Sequence, residues 1–275
     1  APDLTYKELI MASNLVSNLQ QHPSIMPSVT MQGAYEPFDL QVARNQIAGH
    51  QTVSIFGYQA SVGTTPIPIW ENASTYTFPT SASTLTLVST STSDNTSASV
   101  LISGLDANFN PISETLFLNG TTGVTTVNSY LRVNSLVMVS PGTSQVTNVG
   151  TITIKQSTNT LAQINAGVGK SQSTVFTVPN GYTFYLDLAE VNTSNSYTGS
   201  VIVTYRVQAL NNVTGVQLTV LQQPFVSLYS ANRASDPFAY TQKTDIQWQL
   251  SASTGTIAAG VIVTGKLIKL DGQTA

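Results

Sequence analysis

The chain contains no cysteine. That absence excludes disulfide frameworks, thiolate-held zinc or iron–sulfur centres and thiol catalysis. Charge is nearly as scarce. Asp, Glu, Lys and Arg make up 8% of the 275 residues, against roughly a quarter in an average globular domain. No basic run occurs and the net charge is -3, so the chain lacks the electrostatic footprint of a nucleic-acid binder. No stretch approaches the ~18 consecutive apolar residues of a membrane-spanning helix. The opening APDLTYKELIMASNL has no basic segment followed by an apolar run, so it does not read as a secretory signal. Ala1 is compatible with loss of an initiator Met or of a preceding segment.

Catalytic and ligand-holding patterns are equally thin. The two histidines, His22 and His50, stand in no HExxH or comparable arrangement. A Ser-His-Asp mechanism would need one of them, and there is no G-x-S-x-G elbow. The segment around Lys170 and Ser171 lacks the first glycine of a phosphate-binding loop. A glycosidase needs two facing carboxylates. The closest local pair, Asp187 and Glu190, falls on opposite faces of a regular strand because their spacing is odd. Asp106-Ala-Asn108-Phe-Asn110 resembles the start of a calcium loop, but Pro111 occupies the position that needs glycine. It reads instead as a turn stabilised by Asp and Asn side chains. We therefore expect no catalytic, cofactor-binding or metal-binding residues, and no enzyme.

What is present is a hydroxyl- and amide-rich surface over a chain that is 41% hydrophobic. Low charge does little to hold copies apart, which suits a protein that works in an assembly. The sequence predicts an N-terminal helix and extended arm over 1–48. Thr5 and Glu8 form a capping box, and Leu9, Val16 and Leu19 recur on one helical face. Pro23 stops the helix, and Pro27 and Pro37 punctuate the segment that follows. The apolar stripe of Leu9, Val16 and Leu19 is the candidate partner-binding element, laid either on its own domain or on a neighbouring subunit.

From about Gly49 the period changes from helix to strand. Val53 and Ile55 share a face in QTVSIFGY; Val201, Val203, Tyr205 and Val207 do so in SVIVTYRV, with Arg206 opposite; Ile246, Trp248 and Leu250 do so in TDIQWQL. Arg132 and Asn134 point outward from their strand, whose far end reads as central to a sheet. The terminal VIVTGKLIKL reads as closing a sheet. Asn119-Gly120, Pro141-Gly142 and the polar tract at 89–99 mark turns, and Asn180-Gly181 signals a hairpin. The expected fold is all-β, with two antiparallel β-sandwich or jelly-roll-like domains at 49–155 and 174–275, joined by a polar linker at 156–173. Tyr58, Trp70, Tyr76, Tyr130, Tyr182, Tyr197 and Tyr240 are the aromatics available to a carbohydrate platform, although aromatics at such positions generally fill cores.

Two stretches carry a family resemblance. SVLISGLDANFNPISETLFLNGTTGVTTVNSYLRVNSLVMVS, within 99–140, and GHQTVSIFGY with the following IW, within 49–70, resemble β-rich virion structural proteins of tailed bacteriophages, marine and cyanobacterial ones in particular. The resemblance implies a location in the virion and partners among other virion proteins, capsid or tail subunits, with homo-oligomerisation. The charge balance and the lack of a long apolar run separately lead us to expect neither a nucleic-acid nor a membrane partner. A decorating or cementing role on the capsid is the leading expectation. A tail or baseplate component and a glycan-binding module of a fibre or cell surface are the alternatives.

Overall fold

The computed structural model describes residues 36–143, 145–194, 201–226 and 229–270. The stripe of Leu9, Val16 and Leu19, together with His22, Pro23 and Tyr197, lies outside the described residues. The chain divides into two compact units, 1–51 and 52–275.

In the first unit the described residues include one short helix, α1 (Phe38–Ala43). The sequence reads as an irregular arm here because Pro37 interrupts it. Proline is tolerated at a helix start, where a backbone N–H would lack a partner anyway. Its carbonyl accepts from the Leu40 and Gln41 N–H groups at 3.0 and 3.1 Å. Asp39 in the first turn suits the positive end of the helix dipole.

The second unit is all-β. In chain order the strands are β1 (His50–Val62), β2 (Ile67–Pro68), β3 (Thr86–Ser89), β4 (Ala98–Leu105), β5 (Pro111–Phe117), β6 (Val124–Thr125), β7 (Arg132–Pro141), β8 (Ile152–Gln156), β9 (Asn159–Ile164), β10 (Val175–Thr177), β11 (Tyr182–Ser194), β12 (Val203–Asn211), β13 (Gln217–Phe225), β14 (Tyr229–Tyr240), β15 (Thr244–Ala252) and β16 (Ile257–Lys269). They form four sheets, ordered β1-β16-β11-β14, β10-β15-β12-β13 with β2 added beside β15, β6-β3-β8-β9, and β5-β4-β7.

The first two sheets share one core, built from Ile55 and Ile69 at one end of the sequence and Phe184, Tyr205, Trp248 and Val261 at the other. The last two share a second core of Leu85, Val100, Ile102, Leu136, Ile152 and Ile164. Pairing therefore does not follow chain order. Strands β1 and β2 are built into the sheets formed by residues 175–269, and β3–β9 form a body inserted between β2 and β10. The chain leaves and returns side by side. The Thr174 N–H donates to the Ile69 carbonyl at 2.9 Å, and Trp70 bridges Ser173. Gly57 makes this crossing possible, because a Cβ there would lie 2.2 Å from the Ile69 carbonyl oxygen.

Several local expectations change. Residues 156–173, read as a linker, contain β9, whose Leu161, Ala162 and Ile164 enter the second core. The polar Asn159, Thr160 and Gln163 obscure that strand in the sequence. Asn180-Gly181 does turn, with Gly181 at φ 77°, but β10 and β11 belong to different sheets, so it links two sheets rather than making a hairpin. Strand β16 lies between β1 and β11 instead of closing a sheet. Strand β7 ends its sheet, although a bridge from Val137 to Lys170 covers part of its outer side. In β11 the register shifts between Leu186 and Leu188. That bulge adds one residue and reverses the alternation. Asp187 meets the outward Lys266, and Glu190 alternates with buried Ala189 and Val191. Both acids consequently lie on the outer face, not on opposite faces as a regular strand would place them.

Candidate functional site

The carboxylates of the second unit are largely committed to holding the fold. Arg132 of β7 and Asp245 of β15 form a bidentate pair, Nε to Oδ1 at 2.8 Å and Nη2 to Oδ2 at 2.7 Å, with side-chain exposures of 5% and 0%. Thr177 Oγ1 and Asn212 Nδ2 also donate to Asp245, at 2.6 and 2.8 Å. Arg132 Nη1 donates to the Pro79 and Leu131 carbonyls, and its guanidinium lies 4.9 and 5.4 Å from the ring centres of Phe78 and Phe109. Every charge in this group has a geometric partner, as a buried pair requires. Arg132 does point away from its own core, but the other body covers it.

Asp94 is also buried. Its carboxylate accepts from Ser89 Oγ at 2.5 Å and from the Val149 and Gly150 N–H groups at 2.8 Å. Asp106 accepts from the Asn108 and Asn110 N–H groups at 2.8 and 2.9 Å, which is the side-chain-stabilised turn. Those bonds hold its pKa below the usual carboxylate value. Glu71 bonds to the Asn165 and Gln172 N–H groups at 3.2 and 3.3 Å. Burial pushes its carboxyl up to about 7 despite those two bonds. Among the described residues, no group of three His, Asp or Glu side chains has the arrangement of a metal site.

The aromatic candidates are mostly core residues. Trp70, Tyr76, Tyr130 and Tyr240 are buried, while Tyr58 is exposed. Trp70, Tyr76 and Phe78 pack edge to face at 5.0–5.1 Å between centroids.

The feature that remains is a cleft between the first two sheets. Strands β13 and β14 each end their sheet. Between them, β11 and β12 line a cavity of about 220 Å³ walled by Leu186, Ala189, Val207, Leu221, Phe238 and Tyr240, with Tyr205 beside them. A groove of about 600 Å³ adjoins it along Leu218, Val220 and Phe238. Phe238 is 50% exposed and Leu218 58%. Residues 207–232 contain no charged side chain, so β13 carries none of the charges that usually guard an edge strand. Pro224 and the register shift that leaves Val220 unpaired with β12 are its interruptions.

Tyr205 is 4% exposed, and its hydroxyl has no hydrogen-bond partner among the described residues. Burial, with Tyr240 nearby, drives its pKa upward, and burial pushes Tyr240 up to about 12. Both phenols therefore stay protonated at neutral pH. The sequence reveals the inward face of β12 but not this cleft, because its walls come from four separate strands and no short pattern links them.

No protein family matches this sequence, and no curated protein does. Among solved structures, the infectious bursal disease virus VP2 subviral particle aligns with 86% of this chain and 78% of its own chain, at 11% identity and a TM-score of 0.23. A superposition that weak does not establish a shared fold, and no role is taken from it.

Proposed function

We propose that the chain is a structural component of a virus particle, of the tailed-phage kind, and that it acts through protein–protein contacts without catalysis. Its two cores are read as two sandwich domains of jelly-roll type, the β3–β9 body being inserted into the other. Its place is on the capsid, as a decorating or cementing subunit in several copies. Leu9, Val16 and Leu19 are the partner-binding stripe, and neither nucleic acid nor membrane is a partner. The single observation that supports this most is the uncharged run 207–232, which includes β13 at the end of its sheet with Leu218 exposed. A long edge strand without charge is prone to accept another chain, and assembly is where that property is useful. The sequence resemblance at 49–70 and 99–140 points the same way.

The test is co-sedimentation of the full-length protein with undecorated capsids, together with light scattering of the protein alone. Binding that is lost on replacing Leu9, Val16 and Leu19 by Ser supports the proposal. A monomer that ignores capsids overturns the decorating role and leaves a tail or baseplate location to be tested in the same way.

A further inference from the structure

We propose that the outer face of β12 and β15 docks an acidic side chain, Asp or Glu, of a partner protein, and that Arg206 receives its carboxylate. Val207 and Trp248 point into the first core, so Arg206, Gln208, Gln247 and Gln249 stand on the opposite face. Strand pairing sets Arg206 beside Gln249 and Gln208 beside Gln247.

Charge is the first argument. Arg44 and Arg132 each pair with a carboxylate. Arg206 instead donates from Nε and Nη2 to Gln249 Oε1, at 2.9 and 2.6 Å, and among the described residues no acid bonds to it. On its other side β13 sets Gln222 opposite Arg206 and Thr219 opposite Gln208, both neutral. Nε and Nη2 make one edge of the planar guanidinium. The edge between Nη1 and Nη2 stays open, and that edge takes a carboxylate through two parallel bonds.

The second argument is the polarity of the amides. A guanidinium only donates, so it turns the Gln249 oxygen toward itself. Gln249 Nε2 then donates to Gln247 Oε1 at 2.7 Å and to Gln208 Oε1 at 3.2 Å. With those oxygens engaged, Gln208 and Gln247 have their Nε2 groups left to offer. The cluster thus presents donors, and an acceptor-rich anion matches it.

Access is the third argument. Arg206 Nη1 and the Nε2 atoms of Gln208 and Gln247 make no hydrogen bond among the described residues, and none belongs to the unpartnered atoms shut off from solvent. Each is therefore open to water. A recess of about 60 Å³ lies beside Gln208 and Gln247. Its acid, Asp245, is already matched by Arg132, and its ring, Phe78, has Arg132 over it. Neither β12 nor β15 presents an aromatic ring on this face for a sugar to stack on, so the carboxylate is assigned to a protein and not to a uronate.

This inference rests on the reading of the chain as a component that acts by protein contacts, but on a surface separate from the 9–19 stripe and the β13 edge. The test follows the side-chain N–H signals of Arg206, Gln208 and Gln247 by NMR in the full-length protein. The probes are capped Gly-Glu-Gly and Gly-Gln-Gly peptides and digalacturonate. The Glu peptide is expected to shift all three signals and to bind about ten-fold more tightly than the Gln peptide, as a hydrogen bond to a charged group would give. Arg206→Lys keeps the charge but removes the fork and should weaken the Glu peptide several-fold. Gln249→Glu gives Arg206 an internal carboxylate and should abolish the preference for the Glu peptide. No shift with either peptide overturns the proposal, as does equal binding of the two. So does a preference that survives Gln249→Glu, or tighter binding of digalacturonate than of the Glu peptide. Capsid co-sedimentation that depends on Leu9, Val16 and Leu19 would stand or fall independently of these titrations.

Discussion

The buried Arg132–Asp245 pair shows how one residue's role depends on a surface it cannot announce. Strand alternation places Arg132 outward, and the structure agrees with that direction; what the sequence lacks is any sign that another body lies there. Removing one member of such a pair leaves the other charged in a dry site, at a cost of about 3–5 kcal/mol. Arg132→Met should therefore lower stability by that amount in urea denaturation, and adding Asp245→Asn should recover part of it. A loss below about 1 kcal/mol would mean that water reaches the site. Glu71 makes a prediction with a definite sign. Its folded pKa of about 7 lies above the ordinary value of 4.5, so the folded state favours the protonated acid. Its stabilising contribution is complete below about pH 4.5 and is lost as pH rises through 7. Glu71→Gln should gain stability relative to the unaltered protein between pH 4.5 and pH 8, and a difference independent of pH would rule out this linkage.

Elements were legible in the sequence where one face is dry and the strand is regular. Ile246, Trp248 and Leu250 alternate in β15, and Val203, Tyr205 and Val207 in β12; all six are buried. Legibility fails where the period breaks. The bulge at Asp187 inverts faces within β11, the polar residues of β9 disguise a strand that enters a core, and Pro37 hides the start of α1. The cleft was not legible at all, since its walls come from strands that pair with different neighbours. The uncharged edge of β13 carries its own prediction. Leu218→Lys places a charge on an exposed position of that strand, where a lysine discourages edge-to-edge pairing. Self-association seen by light scattering should fall at least several-fold, while the melting temperature stays within about 2 °C, as for a typical surface change. Unchanged association would remove β13 from the contact surface.

At the scale of the whole molecule, two cores are tied by a small set of polar contacts. Besides Arg132–Asp245 they include Asn134 Nδ2 to the Thr177 carbonyl at 3.0 Å and the Thr177 N–H back to Asn134 Oδ1 at 3.1 Å. Cooperativity between two bodies rests on such links. Asn134→Ala deletes both bonds, and calorimetry of the full chain should then resolve two transitions where the unaltered protein gives one. A single unsplit transition would place the coupling elsewhere. The pairing of β1 with β16 has a further consequence, for the order of synthesis. All the strands of the inserted body have been made once Ile164 is added, but β1 cannot meet its neighbour until β16 is translated, roughly a hundred residues later. At the ~5–20 residues per second of a ribosome, the inner body has on the order of ten seconds to close while the outer one still waits, so the nascent chain folds from the inside outward.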